Sequence, residues 1–160
     1  SGEAKVYRLS GDAQRAWLPE TVQHAPSKQA LWEMMAIEGF DAHQNALLLA
    51  PSQAMDSSKG HVKLLSERPG RIELQVHNKL PALLVVSEAW YPGWVATTNT
   101  GSAPTELVSG YIQGVHLHHP GPQRVLLEYQ PTIFRWGMAG SAIGLLLTLM
   151  LYFLKRAART

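Results

Sequence analysis

Between residues 71 and 77 apolar and polar side chains alternate, with Ile72, Leu74 and Val76 on one face and Glu73 and Gln75 on the other. A period of two predicts a half-buried strand. Residues 124–129 repeat the pattern with Val125, Leu127 and Tyr129 on one face, and residues 111–117 turn Val115 and Leu117 inward. Residues 83–86 are apolar without a break, as in a central strand, and Pro81 before them can only begin that strand. Residues 61–66 and 94–98 are further short strands. Turn formers separate these runs: Arg68-Pro69-Gly70, Asn78-Lys79, Pro92-Gly93, residues 99–103 and Pro120-Gly121-Pro122. Strands about ten residues apart predict an antiparallel, jelly-roll-like β-sandwich over residues 56–131.

The pattern differs in residues 1–55, which are expected to form a small α/β element packed on the sandwich. Residues 5–9 and 17–22 have strand character. Residues 27–38 have helical spacing through Leu31, Met34, Met35 and Glu38, with Ser27 as N-cap and Gly39 as the stop. Residues 47–49 form another buried strand. The stretch "MDSSKG", residues 55–60, is the expected flexible joint.

Beyond Pro131 the pattern changes again. From Gly137 to Leu154 no residue is charged. As a helix these residues span about 27 Å, close to the hydrocarbon thickness of a bilayer, about 30 Å. Trp136 stands at one end and Tyr152 with Phe153 at the other, followed by Lys155, Arg156 and Arg159. Only Arg135 flanks the first end. A transmembrane helix over 132–156 is therefore expected, with a cytoplasmic tail, 157–160, and residues 1–131 outside the cell. Gly140 and Gly144 make a small-xxx-small pair that predicts packing against other helices. Thr148 can bond its own helix backbone.

Charged residues make up only 16% of the 160, and the net charge is +2, which argues against a nucleic-acid partner. The absence of cysteine excludes disulfides and thiolate catalysis. No apolar export signal follows Ser1, so an outside location implies export by something upstream. The chain is accordingly expected to be the C-terminal piece of a longer protein.

Candidate chemistry is sparse. Glu88, near Trp90, is the one acid in an aromatic setting, and glycoside hydrolysis needs two facing carboxylates. His116, His118 and His119 suggest a metal site, but no acid stands beside them in sequence; edge-strand or turn positions near the membrane are expected instead. No nucleophile elbow, phosphate loop or zinc-helix motif is present. No catalytic, cofactor or metal residue is therefore assigned. The remaining cluster is Trp90, Tyr91, Pro92, Gly93 and Trp94. Pro92 and Gly93 suit the two central positions of a type II turn, with Tyr91 and Trp94 flanking it. Three roles stay open for it: a plug at one end of the sandwich, a contact with membrane or upstream helices, or a sugar-stacking platform.

The residues also resemble a family. Arg15-Ala16-Trp17-Leu18, Gly39-Phe40-Asp41, Arg71-Ile72-Glu73-Leu74, Tyr91-Pro92-Gly93-Trp94, Gly114-Val115, Pro120-Gly121 and Tyr129-x-Pro131 occur in this order. In this the chain resembles the C-terminal end of YfhO-type bacterial integral membrane proteins, which are likened to the GT-C glycosyltransferases. The family's short Asx-Gly turn after the tryptophan strand is replaced here by "TTNTGSAPTE", and its basic residue before Gly-Val by Gln113. The acids of GT-C catalysis lie in an early loop with no counterpart here. The resemblance implies a non-catalytic extracytoplasmic domain and last span of a polytopic, glycosyltransferase-like protein of the bacterial cell membrane. Its expected partners are membrane lipid, upstream helices of the same parent, and a polyprenyl-phosphate-linked sugar or glycan acceptor. The alternative is a single-pass anchored binding module with no enzymatic role.

Overall fold

The computed structural model describes residues 14–49, 59–131, 137–138, 140–148 and 150. The strands are β1 (Ala16–Trp17), β2 (Thr21–Ala25), β3 (Asn45–Leu49), β4 (Gly60–Arg68), β5 (Arg71–Asn78), β6 (Ala82–Ala89), β7 (Trp94–Thr98), β8 (Gly101–Ala103), β9 (Thr105–Val108), β10 (Ile112–Leu117) and β11 (Gly121–Tyr129). Helix α1 (Lys28–Met35) lies between β2 and β3.

Two antiparallel sheets carry the fold, one ordered β1-β6-β10-β9 and the other β4-β5-β11-β7-β8. Their inner faces share one core. Leu84, Val86, Val115 and Leu117 of the first sheet meet Ile72, Leu74, Val76, Ala96, Val125 and Leu127 of the second. The alternation in β5 and β11 puts these side chains inward, and register pairs Leu74 with Val125 and Ile72 with Leu127. Burying one such side chain contributes about 1.5–3 kcal/mol. Three hairpins of consecutive strands, β4–β5, β7–β8 and β9–β10, alternate with connections that cross between the sheets. This differs from the wrapped order expected of a jelly roll. Tight turns at Pro69-Gly70, Asn99-Thr100 and Ser109-Gly110 favour local pairing instead, and each contains or precedes a residue with positive φ.

The outer face of the first sheet is covered too. Leu83 and Val85 point away from the sandwich core and pack with Trp17, Ala46, Leu48, Val108 and Ile112. The cover is a β2–α1–β3 unit whose strands pair in parallel. This second layer explains the unbroken apolar run of β6, which is buried on both faces. Leu31 of α1 closes a third cluster with Ala25 and Leu47.

Several boundaries differ from the sequence expectation. The strand expected over 17–22 is two strands, because the chain breaks at Leu18-Pro19-Glu20: β1 pairs with β6, while β2 pairs with β3. Proline has no N–H for a ladder. The N-terminal segment thus adds a strand to the sandwich as well as packing on it. Ser27 caps α1 by accepting the Ala30 N–H at 3.1 Å, but the helix ends at Met35, with Ala36 as C-cap. Ile37 is already exposed, and Gly39 serves the following turn with φ +84°. Gly60, expected in a flexible joint, is the first residue of β4; a Cβ there would collide with the His77 carbonyl. Residues 55–58 of that joint and the strand expected over 5–9 lie outside the described residues. Strands β8 and β9 begin in the stretch "TTNTGSAPTE", whose composition predicts a loose turn.

Residues 137–138, 140–148 and 150 are helical. Among the described residues no helix is long and apolar enough to cross a membrane. Residues 132–136, 139, 149 and 151–156 of the expected span lie outside the described ones.

Candidate functional site

Strand β6 delivers the chain to Trp90-Tyr91-Pro92-Gly93, and β7 takes it away in the other sheet. The turn therefore closes one end of the sandwich. The Trp94 N–H donates to the Tyr91 carbonyl at 3.4 Å, and Gly93 has φ +116°. A Cβ on Gly93 would come within 3.2 Å of both the Pro131 Cα and the Tyr129 ring. The Gly93 carbonyl accepts the Gln130 N–H at 2.7 Å. Glycine is required here twice over, for conformation and for close approach.

The aromatic residues divide. Trp94 is 9% exposed and belongs to the sandwich core. Its ring meets Tyr129 with centroids 5.5 Å apart and planes tilted by 49°. The expected flanking partner, Tyr91, instead points outward and is 54% exposed. Tyr129, placed inward by the alternation, is exposed as β11 runs out of the sheet. Trp90 is half-buried, and its backbone N–H donates to the Tyr111 carbonyl at 3.1 Å.

Beside this turn stands an ion cluster that sequence spacing concealed. Glu88 follows Leu84 and Val86 on the inner face of β6, and Glu67 lies opposite Ile72 on β4. Arg15, just ahead of β1, joins them. Its Nε donates to Glu67 Oε1 at 3.0 Å, and its Nη2 pairs with Glu88. Burial alone works against the charged guanidinium, but hydrogen bonds from Arg15 to Glu88 and Glu67, with their charges, outweigh it and raise its pKa above the ordinary value. Glu88 is thus a paired acid. Its partner Arg15 lies 73 residues away in sequence, which is why spacing could not reveal the pair.

Gly70, Glu88, Tyr91, Trp94 and Tyr129 line a cleft of about 330 Å³ at this end. A neighbouring hollow of about 320 Å³ shares Gly70, Glu88 and Trp94 and extends to Arg15 and Glu67. Both carboxylates are paired to the same cation, so the cleft offers a polar, ion-paired wall beside aromatic rings. That arrangement suits binding. It lacks the opposed, separately poised acid and base of glycoside hydrolysis.

The other candidates lie elsewhere. His116 is buried on β10, which is flanked by β6 and β9 and is not an edge strand. Its Nε2 meets Glu106 Oε2 at 2.7 Å; the acid comes from the neighbouring strand rather than the neighbouring sequence. His118 stacks on His116 with centroids 6.2 Å apart. His119 presents its backbone carbonyl to Asn78 and Gln123. Among the described residues no group of three or more His, Cys, Asp or Glu could hold a metal. Gln113 is fully buried, and its side-chain amide has no hydrogen-bond partner among the described residues. Gly140 and Gly144 are exposed, with nothing within 4 Å of where a Cβ would stand. Thr148 Oγ1 donates to the Gly144 carbonyl at 2.8 Å.

Together these features define a mainly β, antiparallel sandwich domain with a βαβ unit on one face and an aromatic cleft at one end. No family model matches the chain, and no characterised protein or solved structure matches it significantly.

Proposed function

We propose that the chain is a non-catalytic, extracytoplasmic sandwich domain attached to a bacterial cell membrane through residues 132–156. In this reading it is the last domain and final span of a polytopic, GT-C-like protein that uses a polyprenyl-phosphate-linked sugar. The sugar donor and the parent follow from the family resemblance. Membrane lipid, upstream helices, and the lipid-linked sugar or its glycan acceptor are the partners.

One observation carries the membrane attachment. Every described residue from 137 to 150 is exposed, and Met138, Ile143, Leu145, Leu146, Leu147 and Met150 are each 55–66% exposed. Leaving apolar surface in water costs about 25 cal/mol per Å², which hydrocarbon around the helix removes. The non-catalytic reading is supported by Glu67 and Glu88, which are both ion-paired to Arg15. The single-pass binding module is favoured instead by the aromatic cleft taken alone.

The cysteine-free sequence makes topology directly testable. Ser102→Cys should react with an impermeant thiol reagent in intact cells, and Thr160→Cys should react only after permeabilisation. The reverse pattern refutes the proposal.

A further inference from the structure

Among the described residues four Trp and Tyr side chains are exposed: Trp32, Tyr91, Tyr111 and Tyr129, each 41–54%. They come from α1, the β6–β7 connection, the β9–β10 turn and the end of β11. These separate elements are nonetheless linked in space. The Trp32 ring lies over Gly110, where an added Cβ would stand 3.3 Å from it. Tyr111 comes next in the chain, and its carbonyl accepts the Trp90 backbone N–H. Tyr91 follows Trp90, and Gly93 packs against Tyr129 and Pro131. All four aromatic residues therefore belong to one end of the sandwich. The opposite end, near Asn78 and Gly121, exposes Lys79, Leu80, His118 and His119.

Tyrosine and tryptophan pair an apolar ring with a hydrogen-bonding tip, the combination favoured at the boundary between water and hydrocarbon. The connectivity of the chain selects the occupant of this surface. Pro131 packs on Gly93 at the aromatic end, and the next described residue, Gly137, is already in the apolar helical segment. Six residue steps reach at most about 20 Å. A bilayer holding that run lies within reach of the aromatic end, whereas the polar end is a full strand length further away.

We propose that this end of the sandwich is seated in the headgroup region of the bilayer, with Trp32, Tyr91, Tyr111 and Tyr129 as interfacial contacts. The seating stands the sandwich on the membrane and turns the Tyr91–Trp94–Tyr129 cleft toward the lipid surface. It rests on the membrane attachment proposed above and adds a defined orientation to it. The test uses the full chain in phosphatidylethanolamine–phosphatidylglycerol vesicles, with a nitroxide on Tyr111→Cys or on Leu80→Cys. Collision with oxygen, which concentrates in lipid, should exceed collision with a water-soluble nickel chelate at Tyr111→Cys, and the order should reverse at Leu80→Cys. Aqueous exposure at both positions overturns the seating. So does exclusion of both reagents at Tyr111→Cys, the mark of a protein partner. The thiol-labelling experiment reports on the apolar segment separately. A cytoplasmic C-terminus combined with a water-exposed Tyr111→Cys removes the seating and leaves the attachment standing.

Discussion

Trp94 and Gly93 are neighbours in the chain, and each is irreplaceable for a different reason. Trp94 fills core volume among Ala96, Leu127 and Ile72. Trp94→Ala should destabilise the protein by about 3–5 kcal/mol, read as a lower denaturant midpoint. Gly93→Val should also destabilise it, because φ is positive and Pro131 and Tyr129 leave no room. Tyr91→Ala should stay within about 0.5 kcal/mol of the parent, since its side chain is exposed. Equal losses at Tyr91 and Trp94 would contradict the division of the cluster into a buried and an exposed half. Gln113 supplies a prediction of opposite sign. Its buried amide lacks partners among the described residues, and such burial costs about 1–3 kcal/mol. Gln113→Met keeps the length, removes the polar atoms and should raise the melting temperature. A drop would show that the amide is satisfied in solution.

Elements in this protein owe more to their partners than to their own propensity. Helix α1 has only eight residues, too few to be stable in isolation. The Ser27 cap contributes about 1 kcal/mol, and packing of Leu31 on Ala25 and Leu47 supplies the rest of its support. Strand β4 starts where the backbones of Gly60 and His77 come close. Gly60→Ala should therefore loosen the start of the β4–β5 hairpin, with faster amide exchange at Val62 and Val76. The helix α1 amides should be unaffected. Unchanged exchange in the hairpin would mean that the backbone relaxes freely around the methyl group. The short strands β8 and β9 have no apolar alternation of their own. They exist because β7 and β10 offer them a ladder.

At the scale of the whole molecule, the two sheets gather three distant residues, Arg15, Glu67 and Glu88, at the same end as the aromatic turn. Among the described residues, the two acids of that cluster are both paired with Arg15. The chain on its own should therefore show no turnover of glycosides or lipid-linked sugars. Activity that is lost on Glu88→Gln would overturn the non-catalytic reading.

The sequence by itself determined what is local. Period-two alternation marked β5 and β11, the Ser27 cap marked the start of α1, and Pro92-Gly93 marked a turn. The uncharged run after Pro131 marked a segment unlike the rest. These features are set by neighbouring side chains and by backbone geometry, so they can be read from adjacent residues. Tertiary structure decided what depends on separation. It split the expected 17–22 strand between two sheets, covered both faces of β6 and paired His116 with Glu106. It also replaced Tyr91 with Tyr129 as the partner of Trp94, and joined Glu88 to Arg15. In each case the partner arrives from another strand, and sheet order and register are fixed by burial summed over the whole molecule rather than by any single stretch of chain.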